Sequence, residues 1–113
     1  MLRDDRGSAT VWTAGALAAL LVVAALVFAL GSVIVTRHRA ADAADLAALA
    51  AAGRADEGIE SACARARAVV DEMSVRLVSC RFEDWDALVE VQADAPGGLG
   101  VASAHARAGP VAR

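Results

Sequence analysis

Leu17–Val35, LAALLVVAALVFALGSVIV, is the stretch on which the fold turns. It lies inside a longer run, Gly7 to Thr36, that contains no charged residue. A helix needs roughly 20 apolar residues to cross about 30 Å of hydrocarbon, so the run suffices with length to spare. A buried core helix and a cleaved signal peptide share this composition, but each meets a difficulty. A chain of 113 residues is too small to wrap a helix that is apolar on every face. A secretory apolar region runs to about 15 residues before a small-x-small cleavage site, and no such site directly follows here. The expectation is therefore a retained transmembrane helix over residues 9–36, preceded by a short polar tail, 1–8. Trp12 stands where an interfacial aromatic anchors a helix start, and Arg37, His38 and Arg39 mark the far boundary.

Outward from that boundary, RAADAADLAALAAA (Arg39–Ala52) has no helix breaker before Gly53 and consists mostly of the strongest helix former. The helix is expected to continue as an extension, 37–53. On a helical wheel Asp42, Asp45, Leu46 and Leu49 share one side, and Ala40, Ala43, Ala44, Ala47, Ala48 and Ala51 cover the other. A smooth alanine face lets another helix approach closely, which makes Ala40, Ala44, Ala47, Ala48 and Ala51 a candidate helix-packing face. The alternative is that the alanines reflect GC-rich coding, in keeping with a chain whose 11 basic residues are all arginine.

Beyond Gly53, Asp56 is a candidate N-cap, with Glu57 and Glu60 in the first turn of a second helix. Ile59, Ala62, Cys63, Ala66, Val70 and Met73 recur at helical spacing and predict one packed face. The period then changes to two. Val78, Cys80 and Phe82 alternate with Leu77, Ser79 and Arg81, and Ala87, Val89, Val91 and Ala93 alternate with Leu88, Glu90, Gln92 and Asp94. These read as two half-buried strands joined by a hairpin loop at Glu83–Asp86, with Pro96–Gly98 as a second turn and a weaker strand from Leu99 to about Ala106. The predicted fold is α+β: one transmembrane helix continuing into a long helix, then a second helix and a small antiparallel meander, pilin-like in outline. The second helix and meander form a small domain, 54–108, before a frayed tail, 109–113.

Charge and motifs exclude several functions. From Ala40 onward twelve acids stand against seven arginines, an excess of five negative charges and the wrong sign for displacing counterions from phosphate, so no nucleic-acid partner is expected. His38 and His105 are far apart and no CxxC or HxxxH spacing occurs, so no metal is expected. Ser8, Ser32, Ser61, Ser74, Ser79 and Ser103 lack a convincing base. Glu83, Asp84 and Asp86 read as a solvated turn, and Gly97, Gly98 and Gly100 follow a proline and precede no helix. The chain is expected not to be an enzyme and to need no cofactor or small-molecule substrate. Trp85 reads as a lid over a small core rather than a partner contact. Cys63 and Cys80 both fall on apolar faces; in an oxidising compartment they would form a disulfide stapling helix to sheet, and otherwise they are two buried thiols.

Arg6 to Ala52, RGSATVWTAGALAALLVVAALVFALGSVIVTRHRAADAADLAALAAA, resembles the N-terminal region of TadE/TadG-like proteins, pilin-related components of tight-adherence (Flp) pilus and secretion systems. The RG dipeptide before the apolar helix and the Arg39–Ala52 run carry the resemblance, which covers about 6–53 well and the second half loosely. The chain is closer still to the short TadE-like proteins of secretion or DNA-translocation gene neighbourhoods in high-GC bacteria. The resemblance implies a pseudopilin-like or minor-pilin role, a bacterial cytoplasmic membrane location, and partners among other pilus or secretion subunits or further copies of the chain. Some relatives are processed by a prepilin peptidase after a glycine, which maps onto Gly7 and Ser8; this sequence has Trp12 where such substrates carry a glutamate. A different class, a single-pass accessory protein regulating a membrane translocase, remains as the alternative.

For orientation, Arg3 and Arg6 precede the span and Arg37, Arg39 and Arg54 follow it, a slight lean towards a cytoplasmic C-terminus. The cysteine pair and the resemblance lean the other way. The expectation is N-terminus inside and C-terminal domain outside.

Overall fold

The computed structural model describes residues 2–110, with side chains from residue 7. Its elements are helix α1 (Leu2–Ala52), helix α2 (Ile59–Glu72) and strands β1 (Arg76–Glu83), β2 (Asp86–Asp94) and β3 (Val101–Ala108). The fold is α+β, with one long apolar N-terminal helix, a second helix and a three-stranded antiparallel sheet in the order β1-β2-β3.

Two compact units divide the described chain. Unit 1 ends at Gly31 and unit 2 begins at Ser32. Unit 1 is helix alone, and from Gly7 to Phe28 every residue is exposed. Residues 2–8, expected as a polar tail, are helical, because nothing before the apolar run breaks the helix.

Unit 2 contains more of α1 than the expected 54–108 domain allowed. Ala40, Ala43, Ala44, Ala47, Ala48 and Ala51 are all 0% exposed and form one core with Ala62, Ala66 and Val70 of α2 and Ala87, Val89, Val91 and Ala93 of β2. The expected docking face for a second helix is thus spent inside the chain. Alanine serves here because its single methyl lets a helix lie close to its neighbours without a void. Leu46 and Leu49, on the opposite side with Asp42 and Asp45, are exposed.

The start of α2 differs from expectation. Asp56 and Glu57 belong to a short 3-10 turn, Ala55–Glu57, and the N-cap is Gly58 with φ 102°, whose carbonyl accepts from the Ala62 N–H at 3.0 Å. Only Glu60 stands in the first turn. The apolar face of α2 buries Ala62, Ala66 and Val70, leaves Cys63 and Met73 half-buried, and exposes Ile59. At the other end the Val75 N–H donates to the Val70 carbonyl at 3.0 Å and the Ser74 N–H to that of Asp71 at 3.1 Å, with Ser74 at φ 59°. This is a Schellman termination, completed by the apolar pair Val70 and Val75, both buried.

In β1 the inward residues are Leu77, Cys80 and Phe82, and Val78 is exposed. The register shifts between Leu77 and Ser79, a bulge that inserts Val78 as an unpaired residue and moves Leu77 onto the core face. Strand β2 alternates as expected. Glu83 pairs with Asp86, so the hairpin loop is the two residues Asp84 and Trp85 rather than four, and Asp84 takes φ 57° to make the tight reversal. Strand β3 begins two residues later than expected because Pro96–Gly98 form a 3-10 turn. Gly97, Gly98 and Gly100 adopt φ of 68°, 69° and 126°, and the Ala95 N–H closes the loop on the Gly100 carbonyl at 2.9 Å.

Candidate functional site

Two surfaces are built by this fold, a bare apolar helix and a compact head. From Gly7 to Phe28 the helix is exposed, and Leu, Val and Ala are spread around its circumference. Val11, Trp12, Leu21 and Phe28 are each about 70–80% exposed (71%, 80%, 71% and 74%). The helix is long and apolar enough to cross a membrane. Gly7 and Ser8, the expected processing site, lie in the first turns of α1 and are exposed. The side chains of Arg3 and Arg6, which enter the orientation reading, lie outside the described residues. So does most of the expected tail, residues 111–113.

The head is stapled by Cys63 and Cys80, whose sulfurs are bonded with a Cα–Cα distance of 5.8 Å. One comes from the half-buried flank of α2 and the other from the inner face of β1, so the bond ties the helix to the strand it covers.

The outward face of the sheet carries a shallow open cleft of about 330 Å³ bordered by Ser79, Arg81, Leu88, Glu90, His105 and Arg107. Its charges are already paired. Arg81 donates to Glu83 at 2.9 Å, Arg107 donates through Nε and Nη2 to one Asp86 oxygen at 2.9 and 2.7 Å, and His105 Nε2 lies 3.4 Å from Glu90. Glu83 also lies 3.7 Å from Arg107. Glu83 and Asp86 are therefore strand-end partners of Arg107 near the end of β3, which corrects their reading as a purely solvated turn. The Arg107 guanidinium, bonded to Asp86 and near Glu83 and Asp84, is held even more firmly protonated than an ordinary arginine. At the opposite end of the sheet Arg76 donates twice to Asp94, at 2.6 and 3.1 Å. Those bonds hold the Asp94 carboxyl below the usual carboxylate range.

Trp85 is 60% exposed at the hairpin tip, not a lid. A two-residue loop projects its side chain beyond the strand ends, past the core it was expected to cover. His38 and His105 are both exposed, on α1 and on β3. Among the described residues no group of three or more His, Cys, Asp or Glu side chains is arranged to hold a metal ion. Ser61 Oγ lies 3.3 Å from Glu57 Oε1 on the open surface. The bulge at Val78 and the Schellman turn at Ser74 escaped the sequence reading, since neither position carries a glycine or proline to mark it.

The bare helix and the buried alanine face together are what the comparison with known families recognises. Residues 7–55 match the family model described as "Putative Flp pilus-assembly TadE/G-like". That segment is similar to TadE/G-like proteins. It coincides with α1 from Gly7 to its end and stops just short of α2, so the family pattern covers the apolar run and the alanine face that seats the head. A curated relative, described as "Apoptosis inhibitor Rv3654c" of Mycobacterium tuberculosis (strain ATCC 25618 / H37Rv), is 52% identical over 54 residues. That alignment takes in 48% of this chain and 64% of the relative, so the chain matches somewhat under two thirds of that protein's length. No solved structure matches the chain.

Proposed function

We propose that this chain is a single-pass, pilin-related membrane subunit of a bacterial tight-adherence pilus or secretion apparatus, and that it acts by assembly rather than catalysis. The coincidence of the TadE/G-like match with a helix whose apolar residues are exposed from Gly7 to Phe28 carries the reading. In water such a surface is a liability; in a bilayer or against other hydrophobic helices it is the working surface. The buried alanine face restricts how the subunit joins its partners. Contacts run through the exposed apolar residues before Gly31, and Ala40–Ala51 hold the head.

The disulfide supports a head outside the cytoplasm, where such bonds persist, with the N-terminus inside. The relative's description concerns a whole protein of which a part is matched, and no apoptosis-related role is proposed for this chain.

The test is site-specific photocrosslinking in membranes of the native host, with the photoreactive residue at Leu20 or Val27. Adducts with pilin or with the polytopic platform subunit of the apparatus are expected. Adducts with lipid alone, together with normal pilus assembly and secretion when the gene is deleted, would overturn the proposal. Orientation is read separately, with an impermeant thiol reagent on intact cells: labelling of Cys63 and Cys80 after reduction places the head outside, and labelling only after lysis places it inside.

A further inference from the structure

We infer that the β2–β3 loop, Pro96–Val101, is a second membrane contact, seated in the lipid interface beside the point where α1 leaves the bilayer. The inference rests on the proposed membrane anchoring of α1 and goes beyond it, since an anchor by itself leaves the head free of the lipid.

Three observations within unit 2 carry it. The loop borders a cleft of about 190 Å³ whose other wall is α1, with Val33, Thr36 and Arg37 facing Ala95, Leu99 and Val101. Thr36, the last residue of the uncharged run, is only 4% exposed and donates its hydroxyl hydrogen to the Ser32 carbonyl at 2.8 Å. The head thus already covers one side of α1 at the level of the run's final turn, and a bilayer surface that meets the helix at Arg37 meets the loop as well. A run of 28 residues, 9–36, spans about 42 Å at 1.5 Å per residue, so its last turn belongs to the headgroup region rather than to the hydrocarbon centre.

The chemistry of the loop fits that depth. Ala95 to Ala104 contains no charged residue, and Leu99 and Val101 are 50% and 57% exposed. Asp94, which adjoins the loop, is already paired with Arg76, and Arg37, which lines the same cleft as the loop, is a partner for lipid phosphate. The Asp84–Trp85 tip lies at the other end of β2, a strand of nine residues and thus about 30 Å away. The occupant is the lipid surface crossed by α1, because the loop's apolar side chains share one cleft with Val33 and Thr36, the last turn of the uncharged run.

The full chain, reconstituted in phosphatidylcholine–phosphatidylglycerol bilayers without reductant, carries one nitroxide at a time at Leu99→Cys, Val101→Cys, Trp85→Cys or Val27→Cys. Preservation of the native disulfide and circular dichroism confirms each fold. Collision with oxygen relative to a water-soluble nickel complex reads depth. The expected ratio at residues 99 and 101 is several-fold above that at 85 and below that at 27. A deep label at 27 with residues 99 and 101 as wet as 85 overturns the loop contact alone. A wet label at 27 overturns the anchoring reading and this inference with it.

Discussion

At the C-terminus of α2, Ser74 holds φ 59°, a left-handed conformation that costs an L-residue about 1–2 kcal/mol and glycine little. Its side chain is exposed, so Ser74→Gly removes strain without opening a cavity and is expected to stabilise the head by about 1 kcal/mol in urea titration. The buried alanines behave in the opposite sense. Ala44 and Ala48 are fully enclosed, and Ala44→Leu or Ala48→Leu is expected to destabilise the head by about 1–3 kcal/mol through overpacking. Loss of partner binding with an unchanged melting temperature would show instead that this face serves another helix. Asp94 supplies the pH dependence. Its carboxyl titrates lower in the folded state than in the unfolded one, so its stabilising contribution is full above the unfolded value and is lost as pH falls through the lowered folded one. Asp94→Asn is expected to flatten the acid limb of the stability curve slightly, because the pair is open to solvent.

Among the elements, α2 and β1 depend on each other most visibly. The helix is 14 residues, too short to persist alone in water, and is held by three small buried side chains and the bond to Cys80. Cys63 and Cys80 enclose a loop with a sequence separation of 17, for which chain-entropy arithmetic gives about 3 kcal/mol. Reduction, or Cys63→Ala with Cys80→Ala, is expected to lower stability by about that amount. Chemical denaturation with and without reductant measures it. In β1 the bulge at Val78 turns one apolar residue outward and brings Leu77 in, so a strand whose letters alternate cleanly is read on the wrong face for its first residues.

For the molecule as a whole, the boundary of the head is the main consequence. Six alanines of α1 complete the core, and the compact unit runs from Ser32. A fragment comprising residues 54–113 is therefore expected to be unfolded, and one comprising 32–113 to fold, as read by circular dichroism and by dispersion of amide resonances. Equal folding of both would mean that the alanine face contributes nothing to the head. The same architecture divides one helix in two: its first part, Gly7 to Phe28, stays apolar and exposed, and its last part supplies the back wall of the domain it carries.

The apolar run of Leu17–Val35, the unbroken helix to Ala52, the helical face of α2 and the alternation of β2 were legible in the amino-acid sequence because each is a local periodicity, with its cause within a few residues. The two wheel faces of Arg39–Ala52 were legible in the same way, and so was the placement of both cysteines on apolar sides. What covered those faces was not. A smooth alanine stripe suits a neighbouring helix and a sheet equally well, and only the folded chain shows it filled by β2 and α2. The bulge at Val78, the exposure of Trp85 and the pairing of Glu83 and Asp86 with arginines likewise depend on strand register. Register is decided by contacts between residues distant along the chain, so the sequence determined which surfaces would be apolar and the tertiary structure decided what each of them meets.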